Sequence, residues 1–530
     1  MSDLPASPRT SAKQSGRIAC WFLSAAVIAC GLGLEMRRMP SVYSQGRWFL
    51  PDTDDYMRLF RVRMILDGKA TIVRHIAEIN APAGATLHWT APMDYLLVGA
   101  IRLSRWLGGG SWPLEQMAAW TPALLGAVYL GLVIFFMRRS LGWGPAIVGG
   151  LVMATSRGYH RVFQLGHCDH HCLIELFQWI GIAAIWPRRD DPNREPTRAG
   201  AIISGLAAGM ALWVAAQAML VSAAIFAGVV FATFYVPMER RMVWIARRRE
   251  WNLALLAVLI VGWLIEQWPT PWRGELDKIS LFHVLIAALG LLIPAGKTSS
   301  GQRVGVRLAA FVLGVIGFGF WFGAHRAAMA SIFVRPEFYW WSATIAELEP
   351  LYLHAGGEWS IAPIAFMLGY LPYLLPVFIP VFLLSRELHS AAKLTLVVLS
   401  LTVTMLSVQH MRWIDHVYLG IMPISVIALF EMGRRIAARD PKGWGPAGSY
   451  LPTAVAIAAL ALLVYPSAKR VIFEMPQMPA PFVIRAALAA DVINKYQKES
   501  PAMNGRRAIL ADQEAGPTML FMTGLPIVAG

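Results

Sequence analysis

Eight residues, Leu165–Cys172, hold two cysteines, three histidines and an aspartate in the string LGHCDHHC. Three chemistries are open to such a string. Cys168 and Cys172 are four apart and would share a helical face. That spacing suits zinc, but closed structural zinc sites take four ligands and no second cysteine pair follows. Acyl transfer through Cys172 is the second. The third uses only Asp169 and one histidine, an oxygen donor and a nitrogen donor.

Other acids sit in similar company. LPDTDDYMRLFRVRMILDG, Leu50 to Gly68, has Asp52, Asp54 and Asp55 just before Met57, Phe60, Met64 and Ile65. The apolar spacing predicts a helix. Acids at its start satisfy free N–H groups and the dipole. Three acids in four positions exceed what a cap needs, which leaves a metal or proton role for the rest. In YWWSATIAELEPLYLHAGGEW, Glu347 and Glu349 lie among aromatics, as solvated acids of an interfacial belt or as ligands. Arg412, in QHMRWIDHVYLGIMP, reads as a snorkelling arginine or as a fork for phosphate oxygens. APAGATLHWTAPMD places His88, Trp89 and Asp94 as lining of a substrate groove. Hard oxygen donors with one imidazole suit Mg²⁺ or Mn²⁺ better than zinc. A divalent ion beside an arginine at a membrane surface points to a lipid-linked phosphate or pyrophosphate.

The elements that must carry these residues are membrane helices. Of 530 residues, 56% are hydrophobic and only 15% charged, and the charges are clustered. A soluble domain carries about 25% charged residues. Long apolar runs between charge clusters match spans of roughly 20 residues. The net charge of +15 is read as basic cytoplasmic loops rather than as a nucleic-acid surface. The four cysteines give no disulfide framework. About thirteen spans are predicted, near residues 18–34, 117–137, 144–155, 172–186, 199–213, 219–235, 253–268, 281–294, 308–322, 361–384, 394–408, 417–430 and 454–465. Basic loops such as PRRDDPNREPTR and PMERRMVWIARRRE fall on every second connection. The N-terminus is therefore expected in the cytoplasm, and the loops with the acids and histidines outside.

An acidic motif after the first span, an aspartate motif before the fourth, TIAE in a later external loop and an external arginine follow in order. This order resembles the GT-C fold membrane glycosyltransferases, above all the catalytic subunit of oligosaccharyltransferase in its bacterial and archaeal single-chain forms. DTDDYMR is similar to the family's first motif. The resemblance implies Asp52 as catalytic and metal-binding acid and Arg58 as a substrate-binding residue, with Asp54 and Asp55 as rival acids. GHCDHH implies Asp169 and His171 as metal ligands. TIAE implies Thr344 as an acceptor contact and Glu347 as catalytic acid and metal ligand. RWIDHVY implies Arg412 as the phosphate contact. His88 and Trp89 complete the expected substrate-binding set.

The resemblance implies an all-α polytopic GT-C protein. It would transfer a sugar or oligosaccharide from a polyprenyl-phosphate or -pyrophosphate carrier, with Mg²⁺ or Mn²⁺, to a protein, glycan or lipid acceptor. The expected location is the cytoplasmic (inner) membrane, multi-pass, with the active site facing the periplasm or exterior and no nucleic-acid partner. The expected organisation is a cytoplasmic tail over 1–17, a transmembrane domain over 18–466 with external loops 35–115 and 325–360, and an external segment over 467–530. That last segment reads as the start of a soluble α/β domain. The family's WWDYG acceptor motif is absent; WWSA, at Trp340–Ala343, lies elsewhere. The competing reading is a multi-pass transporter or flippase of a lipid-linked or anionic substrate. It would place ionisable groups at the midplane and often shows repeated halves; here the acids gather at one face and no repeat is evident.

Overall fold

The computed structural model describes residues 8–529 except 80, 88, 109–112, 192–194, 236, 273–277, 294–311, 313–367, 410–412, 440–450, 474–480, 500–507 and 512–515. Its long helices follow the apolar runs. In chain order they begin with α1 (Pro8–Met36), the one-turn α2 (Met39–Val42), α3 (Thr53–Leu66), α4 (Pro92–Trp106), α5 (Leu114–Leu141) and α6 (Trp143–Thr155). Next come α7 (Arg157–Val162), α8 (His171–Ala184), α9 (Arg198–Val214), α10 (Met219–Tyr235), α11 (Met238–Gln267) and α12 (Leu281–Leu292). Then follow α13 (Leu375–Leu384), α14 (Ser390–Gln409), α15 (Ile414–Arg439), α16 (Leu451–Phe473), α17 (Pro481–Glu499) and α18 (Gly516–Thr523).

Six segments among the described residues are long and apolar enough to cross a bilayer, and six shorter apolar helices accompany them. The chain is a multi-pass membrane protein. The expected spans near 308–322 and at the start of 361–384 lie outside the described residues. One expected loop is helix instead. PMERRMVWIARRRE forms the first half of the 30-residue α11. After Pro237 it holds no proline or glycine, arginine is a good helix former, and Trp244 and Trp251 are buried along it.

The helices pack as a chain of neighbours. α1 lies on α5 and α6, α5 on α8, α8 on α9 and α9 on α11, while α15 sits against α13, α14 and α16. The α9–α11 contact is backbone to backbone. A Cβ on Gly205 would collide with the Trp251 carbonyl, and one on Gly209 with Val258 Cβ at 2.7 Å. Small residues spaced by four allow this approach in lipid, where dispersion and not the hydrophobic effect draws helices together.

Between α1 and α5 the chain builds a polar cap. It comprises an antiparallel hairpin of β1 (Tyr43–Ser44) with β2 (Arg47–Trp48), then α3, a second hairpin of β3 (His75–Ile76) with β4 (Ala85–Thr86), and α4. α4 buries Met93, Leu97, Val98 and Ile101 on one face. Near the C-terminus β5 (Ile509–Ala511) and β6 (Ile527–Ala529) pair in parallel with α18 between them. This small α/β unit docks on the cap. Arg63 Nη1 donates to the Phe521 carbonyl at 3.0 Å and its guanidinium lies 4.0 Å from the Phe521 ring centre. Ile527 N donates to the Glu78 carbonyl at 2.6 Å.

Candidate active site

The start of α3 is fixed by its own acids. Asp52 is the N-cap; its Oδ1 accepts from Asp54 N at 3.1 Å, and Asp55 Oδ2 accepts from Asp52 N at 3.2 Å. This reciprocal capping box satisfies two donors that the first turn would otherwise leave open. Asp52 therefore caps, and it stays half-buried beside the exposed Asp54. Asp55 turns inward and is fully buried; its Oδ2 lies 3.3 Å from His167 Nδ1, and its Oδ1 has no hydrogen-bond partner among the described residues.

One turn further, Arg58 points into the protein and is 1% exposed. Its Nη1 donates to Asp94 Oδ1 at 3.1 Å and its Nη2 to Asp169 Oδ1 at 3.0 Å. The Trp89 ring centre lies 5.3 Å from the guanidinium carbon. Arg61, also buried, holds the other oxygen of Asp94 at 2.5 Å. Asp94 is wholly buried. Asp94 anchors two arginines and reaches no open surface. Arg58 is thus a buried bridge between the first loop and the GHCDHH motif.

The segment carrying Trp89 and Asp94 is itself tied to the membrane helices. Glu266 Oε1, at the end of α11, accepts from Ala91 N at 2.8 Å and from Trp213 Nε1 at 2.9 Å. Thr90 Oγ1 donates to the Val214 carbonyl at 2.7 Å.

The LGHCDHHC loop is pinned from the other side. Glu35, at the end of α1, accepts from Leu165 N at 2.7 Å and pairs with the buried His160 of α7. Gly166 N donates to the Ala119 carbonyl at 2.9 Å. Gly166 has φ +94°, and a Cβ there would meet Val42 and Pro51 at 2.6 and 3.1 Å. Pro51 directly precedes Asp52, so this glycine lets the two acidic motifs meet.

At the mouth of α8, Asp169, His170 and His171 are nearly buried. One ligand-type atom from each lies within 4.8 Å of the others. Asp169 Oδ1 accepts from its neighbour's backbone, His170 N, at 2.7 Å and also pairs with the His170 ring; Asp169 Oδ2 lies 3.4 Å from His171 Nε2. Burial opposes the charge of Asp169, yet His170, His171 and Arg58 hold its carboxyl well below the usual range. Asp54 behaves oppositely. Desolvation by the surrounding protein, with repulsion from Asp52, Asp169 and Asp55, raises it to about 7 despite its open side chain. Burial works against the charge of His167, but Asp55 outweighs it and raises the ring to about 10. Mutual repulsion among carboxylates, with imidazoles at the same spot, is the electrostatics of a site that gains by taking up a cation.

The donor chemistry fits a divalent metal: carboxylate oxygens and imidazole nitrogens converge, and a buried carboxylate oxygen of Asp55 has no partner among the described residues. The cysteines stand apart from it. Cys168 Sγ donates to the Asp55 carbonyl at 3.8 Å and Cys172 Sγ to the Asp169 carbonyl at 3.1 Å. Burial pushes the Cys168 thiol well above its usual value, which disfavours a thiolate ligand.

Asp52, Arg58, Trp89, Asp169 and His171 thus belong to one region at one end of α5 and α8. His88, Thr344, Glu347 and Arg412 lie outside the described residues. His170 was not singled out from sequence, although it adjoins both expected ligands. Glu35 was passed over too; an acid ending an apolar span was its available signal.

No protein-family model matches the chain, and no curated protein matches it. Solved structures do. It superimposes on the archaeal oligosaccharyltransferase AglB from Archaeoglobus fulgidus, in complex with an inhibitory peptide and a dolichol-phosphate, with TM-score 0.72 and 17% identity over 97% of this chain. A structure of the A. fulgidus enzyme tethered to an acceptor peptide containing the NVT sequon gives 0.68 at 15% identity over 96% of this chain. A complex of it with Zn and sulfate gives 0.64 at 14% identity over 96%. The chain spans 65%, 64% and 62% of those three chains, respectively. Over that span, the protein has the GT-C fold of the archaeal oligosaccharyltransferase.

Proposed function

We propose that the protein is a metal-dependent glycosyltransferase that moves a sugar or oligosaccharide from a polyprenyl-phosphate or -pyrophosphate carrier to an acceptor at the external face of the membrane. The observation that carries this reading is the buried Asp169–His170–His171 cluster, bridged by Arg58 to the acidic start of α3. The shared fold supports it, because structures with that fold were solved with dolichol-phosphate, with acceptor peptide and with Zn and sulfate.

Asp169 and His171, with Asp52 and Glu347, would hold the ion; His170 is added here as a further ligand or as the group that orients Asp169. Two imidazoles beside carboxylates favour Mn²⁺ over Mg²⁺. When bound, the ion supplies Lewis-acid stabilisation of charge on the carrier phosphate. The chain's own residues do the rest. Asp52 and Glu347 orient the acceptor nucleophile and receive its proton. Arg412 holds the phosphate as the C1–oxygen bond to the carrier breaks and the C1–acceptor bond forms. Trp89, half-buried at the edge of the site, offers a face for a sugar ring. Arg58 is a positioning residue that fixes Asp169. The acceptor class stays broad: protein, glycan or lipid.

The test uses purified protein with polyprenyl-linked sugars extracted from the source membrane. Treatment with EDTA is expected to abolish loss of sugar from the carrier, and Mn²⁺ to restore it. Carrier-linked sugar that crosses a proteoliposome intact and metal-independently would favour a transporter or flippase and overturn the proposal.

A further inference from the structure

At the far ends of α5 and α8 from the acid cluster, four arginines line one cavity of about 600 Å³. Arg138 and Arg139 come from the last turn of α5, Arg188 and Arg189 from the segment after α8, and Asp190 is the only acid in the lining. The two segments are locked together, since Arg189 N donates to the Arg139 carbonyl at 3.0 Å. Among the described residues, the sole ion pair of these arginines is a loose one, Arg188 to Asp190 at 3.8 Å.

The preference for basic residues on one membrane face accounts for the sign of these loops. It does not account for four guanidinium groups around one space with a single weak counter-charge. The neighbouring cavity, of about 230 Å³, which Arg189 also lines, shows the contrast. There Arg434 meets both Glu387 and, at 2.9 Å, Glu431. The four-arginine cavity lacks that balance, and like charges at such range repel unless an anion joins them.

The surroundings say from where an anion would come. Phe135, which also lines the cavity, is 51% exposed, as are Leu124 and Val128 on the same span at 51% and 53%. Arg138 lies 4.8 and 4.2 Å from the ring centres of Trp21 and Trp143. Tryptophans with arginine mark the headgroup level of a bilayer.

We propose that this cavity binds a phosphate-bearing anion, supplied by the headgroup of an anionic phospholipid in the leaflet opposite the acid cluster. The guanidinium forks would grip phosphate oxygens, and Phe135 would lie along the acyl chains.

The experiment is thermal unfolding and native mass spectrometry of the full chain in a zwitterionic detergent. The probes are phosphatidylglycerol, phosphatidylcholine and inorganic phosphate. Phosphatidylglycerol is expected to bind and to raise the melting temperature, and phosphatidylcholine to do neither. Arg139→Gln with Arg188→Gln is expected to weaken that binding roughly thirtyfold, at about fivefold per arginine. Arg434→Gln, in the neighbouring cavity, is expected to leave it unchanged. Should the double variant not fold, Arg188→Gln alone, on an exposed side chain, is expected to show the fivefold loss. Inorganic phosphate that binds as well as the lipid, and is lost in the same variants, would keep the anion site but overturn the lipid source. Phosphatidylglycerol binding unchanged in the arginine variants would overturn the site.

Discussion

Arg58 shows how one side chain serves the whole site. It is buried, its two terminal nitrogens are shared between Asp94 and Asp169, and the Trp89 ring lies beside it. A planar fork can bridge two carboxylates where a point charge cannot. Removing one member of such a buried set leaves the others uncompensated, at a cost of about 3–5 kcal/mol. Arg58→Met is therefore expected to lower stability by that amount in denaturant titrations. Arg58→Met combined with Asp94→Asn is expected to lose less than the sum of the two single variants, because their interaction is counted only once.

At the scale of elements, the site depends on a turn. Gly166 takes φ +94° and lets the loop before α8 pass against Val42 and Pro51. Ala at that φ costs roughly 1–2 kcal/mol, and its Cβ would push Pro51 and hence Asp52 aside. Gly166→Ala is expected to keep its helical circular dichroism and to bind Mn²⁺ about 10–100-fold more weakly by calorimetry, the range seen when ligands lose their support. The sequence made much of this region legible. The helix at Thr53–Leu66 follows from apolar spacing, whereas the Asp169/His171 pair is reached only through the resemblance of GHCDHH to a family motif. What it could not convey is long-range pairing. That Arg58 and Arg61 close on Asp94 from α3 shows only in the fold. Glu35 and His160 lie 125 residues apart and become partners only once α1 packs on α5 and α6. The basic first half of α11 reads as a loop because its charges hide the continuity of the helix.

Across the molecule, acids and basic loops lie at opposite ends of α5 and α8, which is the polarity expected of a protein that works on one face of a membrane. The C-terminal α/β unit belongs to the acidic end. Phe521 is 3% exposed and stacks near Tyr56 and Arg63 of α3, the helix that Asp52 caps. Phe521→Ala is expected to destabilise the protein by about 3–5 kcal/mol, as for buried aromatics generally, and to raise protease sensitivity of the α3 segment. An unchanged melting temperature would mean that the unit does not brace the site.

The central claim is that transfer runs through a metal held by the loop before α8. Its most direct measurement is the rate of sugar loss from the polyprenyl carrier at saturating Mn²⁺, in the wild type and in Asp169→Asn. The Asn variant keeps the size of the side chain and removes its charge. The account expects a rate lower by at least about a hundredfold. It expects Cys168→Ser with Cys172→Ser to stay near the wild-type rate, since both thiols donate to backbone carbonyls, a contact that a serine hydroxyl can also make. An Asp169→Asn rate equal to the wild type, in protein that remains folded, would contradict the account.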